Sequence, residues 1–124
     1  MMIFMAMSIA AIDDCASYQT TYEINQCLMR ELKIADDILT NVYGVVVANA
    51  KAADATLDRT RDKRIGNYSA LVRAERAWIT FRDTHCVSMA YTMRGGSGDG
   101  TASAVCQIEM TELRIKQLRE LVGE

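Results

Sequence analysis

Apolar residues recur along this chain in steps of three and four. Ile24, Leu28, Leu32, Ala35, Leu39, Val42, Tyr43 and Val46 keep that spacing, which predicts a helix of about six turns. Thr20, with Glu23 three residues later, reads as the capping box that opens it. Gly44 weakens the C-terminal part of this helix. Val45-Val46-Val47 alone would suit a strand, but its place at the end of a periodic stretch favours helix. Residues 50–66 are mostly polar and charged and read as a connector, broken at Gly66-Asn67. Asn67 or Ser69 can then cap a second helix, with Leu71, Ala74, Ala77, Trp78, Phe81 and Met89 as its apolar face, running to about Met93. Arg94 to Thr101 holds four glycines in eight residues and predicts a loop. A third helix is expected from about Ser103, carrying Val105, Ile108, Leu113, Ile115, Leu118 and Leu121. No strand pattern competes. The expected fold is all-α: a small antiparallel bundle of three main helices with one long connection.

The cysteines are Cys15, Cys27, Cys86 and Cys106, at spacings of 12, 59 and 20. None forms C-x-x-C, and His85 is the only histidine, so no zinc site, other metal site or thioredoxin-like motif is expected. Two disulfides are the better reading, stapling the bundle. The second and third helices form a hairpin around the glycine loop, which lets Cys86 face Cys106. Cys15 can reach Cys27 if residues 14–19 fold back over the first helix. That pairing closes two short loops. Its rival is a pair of links tying the first helix to the other two.

With 124 residues, 50% of them hydrophobic and 24% charged, the chain suits one globular domain. The net charge of −2 argues against general nucleic-acid binding. It hides an asymmetry. Residues 1–50 carry 2 basic and 6 acidic groups, residues 51–94 carry 9 and 5, and residues 95–124 carry 3 and 5. A basic middle between acidic ends favours pairing within the molecule, and equally could leave an acidic face for a cationic partner.

Residues 1–12 are uncharged and apolar except for Ser8. The stretch is too short to span a bilayer but fits the apolar region of a secretory signal, with Ser8 and Ala10 spaced for cleavage near Ala10 or Ala11. The Lys or Arg that should precede such a region is missing, which a start codon assigned too far downstream would explain. Residues 1–11 therefore read as a signal-peptide remnant and 12–124 as the domain. Export to the periplasm or the medium agrees with the cysteines. Ile12, Asp13 and Asp14 before Cys15 do not form a lipid-attachment pattern, and no membrane-spanning helix is expected.

Little in the chain invites catalysis. Asp83 is two residues from His85, and such positions point apart on a helix. No third group is spaced to complete a triad. No catalytic residue and no cofactor are expected. Asp36 and Asp37 read as helix-surface charge. The glycine loop matches neither phosphate-binding pattern. Asp99 between Gly98 and Gly100 is reminiscent of a calcium loop, but the further acidic ligands are absent. Trp78 reads as a core anchor, on which Arg82 could stack, unless Arg82 pairs with an acid on another helix. Gly95, Gly96, Ser97 and Asp99 form the candidate partner-binding element, since a loop pinned by a nearby disulfide can enter a cleft. A plain connector is the alternative.

From Asp14 to Leu118 the chain resembles the LprI-type family of small exported proteins. The resemblance rests on Asp14-Cys15, Thr21, Glu23, Asn25 and Cys27, then Ala35-Asp36, Leu39 and Tyr43. It is densest at Trp78-Ile79-x-Phe81-Arg82-Asp83-x-x-Cys86, and continues through Gly95-Gly96-Ser97, Cys106, Thr111, Arg114 and Leu118. Trp78, Arg82, Asp83 and Arg114 are its motif residues outside the cysteines. Thr40 and Glu75 depart from it, standing where the family usually has Asn and Gln. The resemblance implies an exported, disulfide-linked helical domain. For the member that names the family it implies inhibition of lysozyme. The expected partner is thus lysozyme or another envelope protein, with a non-catalytic structural or stress-related envelope module as the alternative.

Overall fold

A computed structural model describes residues 11–124. The proposed signal segment, residues 1–10 with its cleavage region, lies outside the described residues apart from Ala11. Three long helices account for most of the rest: α1 (Thr21–Ala55), α2 (Asn67–Tyr91) and α3 (Asp99–Glu120). No strand occurs among the described residues. Residues 11–16 are also helical and precede α1. The three helices run antiparallel in sequence, and α3 packs against both of the others.

α1 opens as expected, with Thr20 Oγ1 accepting from the Glu23 N–H at 3.1 Å. It then runs 35 residues, well past the predicted end. The connector expected from residue 50 starts only after Ala55, because Ala48, Ala50, Ala52, Ala53 and Ala55 are strong helix formers. Packing reinforces them, since Val46 and Ala50 are buried against Leu71 and Leu118. Gly44 sits on an open face with nothing within 4 Å of a Cβ there, and the helix passes through it.

Neither Asn67 nor Ser69 caps α2. Gly66 holds the cap position and offers no side chain. The acceptor comes from α1 instead: the Asp54 carboxylate takes the N–H groups of Asn67 at 2.6 Å and Tyr68 at 3.0 Å, and the Asn67 side-chain amide at 3.0 Å. A carboxylate there satisfies two orphan donors and meets the positive end of the helix dipole. α3 begins at Asp99, earlier than the predicted Ser103, with Asp99 in its first turn where a negative charge is favoured.

The buried face of α2 also differs from the predicted one. Leu71, Glu75, Cys86 and Ala90 are buried, with Trp78 and Arg82 half-buried along the same stripe. Phe81 and Met89, expected inside, are 58% and 41% exposed. Leu71 and Trp78 of the predicted face do lie inward, but the stripe mixes apolar and charged residues, so apolar spacing alone found only part of it.

The core has two apolar clusters with a polar belt between them. At one end Cys15, Cys27, Leu28, Leu32, Ala104 and Ile108 pack together, with Ile12 against them. At the other, Val46, Ala50, Leu71 and Leu118 do so. Leu28 and Leu118 are at most 1% exposed, and burying such a side chain contributes about 1.5–3 kcal/mol.

Candidate functional site

Both disulfides are present, pairing Cys15 with Cys27 and Cys86 with Cys106. The short-loop pairing holds and the rival pairing does not. Residues 11–16 do fold back on α1, bringing Cys15 to full burial. Both bridges lie at the same end of the bundle, and that end carries the glycine loop.

The loop is a tight, exposed series of turns, residues 92–98. Backbone bonds stack it: Met93 N–H to Ala90 O at 3.0 Å, Arg94 N–H to Tyr91 O at 3.1 Å and Gly96 N–H to Met93 O at 3.0 Å. Gly95 has φ +90°, which a side chain would strain. Gly95, Gly96 and Ser97 are exposed, while Asp99 belongs to α3 and is half-buried. The far side of the loop is tied to α1, where Asn25 Oδ1 accepts from Thr101 Oγ1 at 2.6 Å. Asn25 also lies so close to Gly100 that a Cβ there would stand 3.2 Å from its amide nitrogen. The loop is thus pinned by the Cys86–Cys106 bridge and by the Asn25 bond.

The family-motif residues gather elsewhere, in the polar belt. Arg82 stacks over Trp78, with its guanidinium carbon 5.1 Å from the ring centroid. The same guanidinium donates from Nη1 to Asp36 Oδ1 at 3.0 Å and Thr111 Oγ1 at 3.2 Å, and from Nε to Asp83 Oδ1 at 3.1 Å. Both expected roles of Arg82, stacking and pairing across helices, are therefore filled at once. Trp78 is half-buried, a lid on Arg82 more than a core anchor. Asp36 and Asp37, adjacent in sequence, separate by function: Asp37 pairs with Lys33 on the exposed surface, while Asp36 reaches Arg82. Arg114 lies apart from this group and binds Glu75, Nε and Nη2 each 3.3 Å from Oε2. Glu75 is buried and Arg114 nearly so, and Glu75 Oε1 has no hydrogen-bond partner among the described residues. Burial, together with the negative charge of Glu75, raises the nearby Tyr43 phenol above its ordinary pKa.

His85 is exposed and stacks on Phe81, ring centroids 5.3 Å apart. Asp83 is turned to Arg82 instead of to His85. The belt's charges are committed to one another across helices, which is the arrangement of a structural brace. Sequence reasoning missed Asp36, Glu75 and Thr111 as belt members, and Asn25 and Asp54 as anchors. The one available signal was that Asn25, Asp36 and Thr111 stand among the motif positions.

The sequence profile described as lysozyme inhibitor LprI matches residues 12–118, a span that includes both disulfides, the belt and the loop. The chain belongs to the LprI family. An uncharacterized protein of Rhizobium meliloti (strain 1021) is 33% identical over 109 residues, covering 88% of this chain and 78% of that protein. No solved structure matches. Among the described residues, no helix is long and apolar enough to cross a membrane. In this LprI-family chain the belt ties the Trp78–Asp83 motif into the architecture, and the loop lies outside it, at the end that carries both disulfides.

Proposed function

We propose that this protein is an exported, non-catalytic inhibitor of lysozyme or a related peptidoglycan-cleaving enzyme. The match to the lysozyme-inhibitor family over residues 12–118 carries this reading. The geometry supports it. A protruding turn with few internal degrees of freedom loses little entropy on entering a cleft. Gly95, Gly96 and Ser97 present exposed backbone and little bulk, which suits the carboxylate-lined groove of a muramidase. Asp99 sits at the root of the turn. The chain's net charge of −2 favours encounter with cationic lysozymes.

The test is lysozyme activity on cell walls, titrated with the oxidised protein beside a reduced sample. Loss of activity at near-stoichiometric protein, relieved by reduction, supports the reading. No effect across several lysozyme types would sink it and favour a structural or stress-related envelope module.

A further inference from the structure

The outward side of α2, toward its C-terminal end, carries exposed apolar residues where a surface helix is normally polar. Phe81, His85, Met89 and Met93 follow one another at four-residue intervals and so form one stripe. Phe81 is 58% exposed and Met93 50%. α3 faces this stripe with Val105, Glu109 and Met110, and Leu113, 52% exposed, extends it by a turn. Between the helices lies a depression of about 470 Å³, lined by His85, Met89, Met93, Val105, Glu109 and Met110 among others. Its floor is fixed, for Met110 Sδ rests 3.7 Å from Cys86 Sγ of the disulfide.

Val105 also packs against the disulfide-end cluster, but Phe81, Met89, Met93, Met110 and Leu113 belong to neither core cluster among the described residues. A contiguous exposed apolar patch of this kind marks an interaction surface. Methionines suit such a surface because their flexible thioethers mould to what they meet. Charge indicates what that partner is. At this end of the bundle, residues 13–33 and 85–109 carry Asp13, Asp14, Glu23, Glu31, Asp99 and Glu109 against Arg30, Lys33 and Arg94. The opposite end carries the arginine-rich connector with Arg59, Arg61 and Arg64.

We infer that the depression between α2 and α3 is the seat of a cationic protein partner. It receives an apolar side chain projecting from that partner's basic surface, while Glu109 and the surrounding acids meet the basic groups around it. The inference rests on the inhibitor reading and names the contact surface beside the loop.

The experiment measures inhibition of a cationic c-type lysozyme by the oxidised full chain and by four variants. Met89→Lys and Glu109→Lys should each weaken inhibition about tenfold or more, the cost of spoiling a central contact. Met89→Leu, which keeps the apolar volume, should stay within about twofold. Arg61→Ala, in the connector, should match the unmodified protein. Circular dichroism melts confirm that each variant is folded. Unchanged inhibition by folded Met89→Lys and Glu109→Lys would overturn this surface while leaving the inhibitor reading intact. If the unmodified protein fails to inhibit, both fall together. Sedimentation of the chain alone gives one further outcome. A dimer abolished by Met89→Lys would mean that a second copy covers the face, and would also overturn the inference.

Discussion

Arg82 Nη1 lies 3.0 Å from Asp36 Oδ1, a contact that joins α2 to α1 across 46 positions of sequence. The same nitrogen reaches Thr111 on α3, so one guanidinium holds all three helices. The side chain is only 14% exposed, whereas Asp36 is 44% exposed. The ion pair itself is then worth less than about 1 kcal/mol, being open to water on one side. The hydrogen bonds and the Trp78 contact raise the total. Arg82→Ala should cost about 2 kcal/mol in chemical denaturation. Arg82→Lys should recover only part of it, because a lysine lacks the planar fork. A lysine variant as stable as the unmodified protein would refute the three-way role.

Glu75 and Arg114 form the more deeply buried pair, at 9% and 12% side-chain exposure. Removing one partner leaves an uncompensated charge inside. Glu75→Ala should therefore cost about 3–5 kcal/mol. Glu75→Gln places here the amide that the family resemblance implies. Its oxygen can still accept from Arg114, so the loss should be smaller than for alanine, about 1–3 kcal/mol. Equal losses for the two variants, measured by urea unfolding, would show that charge alone matters at this position.

The bundle was legible in the sequence because long apolar periodicity reports burial directly, as in α1 from Ile24 to Val46. The disulfide pairs were legible because a helical hairpin restricts which cysteines can meet. The inward face of α2 was legible only in part, at Leu71 and Trp78. Glu75 and Arg82 occupy core positions and Phe81 and Met89 surface ones, and periodicity reads polarity, not direction. The Asp54 cap was invisible for another reason: its partner lies 13 residues away across a connector, and only the tertiary fold brings them together. The loop residues were found by composition. Their anchoring through Asn25 depends on a contact spanning 76 positions.

Asp54 gives the fold a defined acid sensitivity. Hydrogen bonds from the Tyr68 and Asn67 backbone hold its carboxyl below the ordinary value of 3.8. In the connector, bonding to Arg64 takes Asp62 down to about 2. A lowered native pKa means that the stabilisation is fully present above the unfolded value. It is lost as pH falls through the native one. Asp54→Asn should therefore melt at a lower temperature than the unmodified protein at neutral pH. The gap should close as the pH drops below about 4. Parallel melting curves from neutral to acid pH would rule out the carboxylate as the source of the cap.

The two disulfides should separate stability from inhibition. They close loops of 12 and 20 residues, so on the chain-entropy account each contributes about 3 kcal/mol, the longer one about 0.5 kcal/mol more. Replacing either pair with alanines avoids burying a new hydroxyl at positions as enclosed as Cys15 and Cys86. The stability losses should thus be similar. Their functional effects should not be. Loss of Cys86–Cys106 frees the root of the glycine turn and the floor beneath Met110, whereas loss of Cys15–Cys27 frees residues 11–16 on the α1 side. Where both variants are folded, the first should inhibit lysozyme more weakly than the second, with faster amide exchange confined to residues 92–98. If the Cys15–Cys27 variant is the weaker inhibitor, the contact surface lies on the N-terminal segment, and neither the loop nor the α2–α3 face carries the binding.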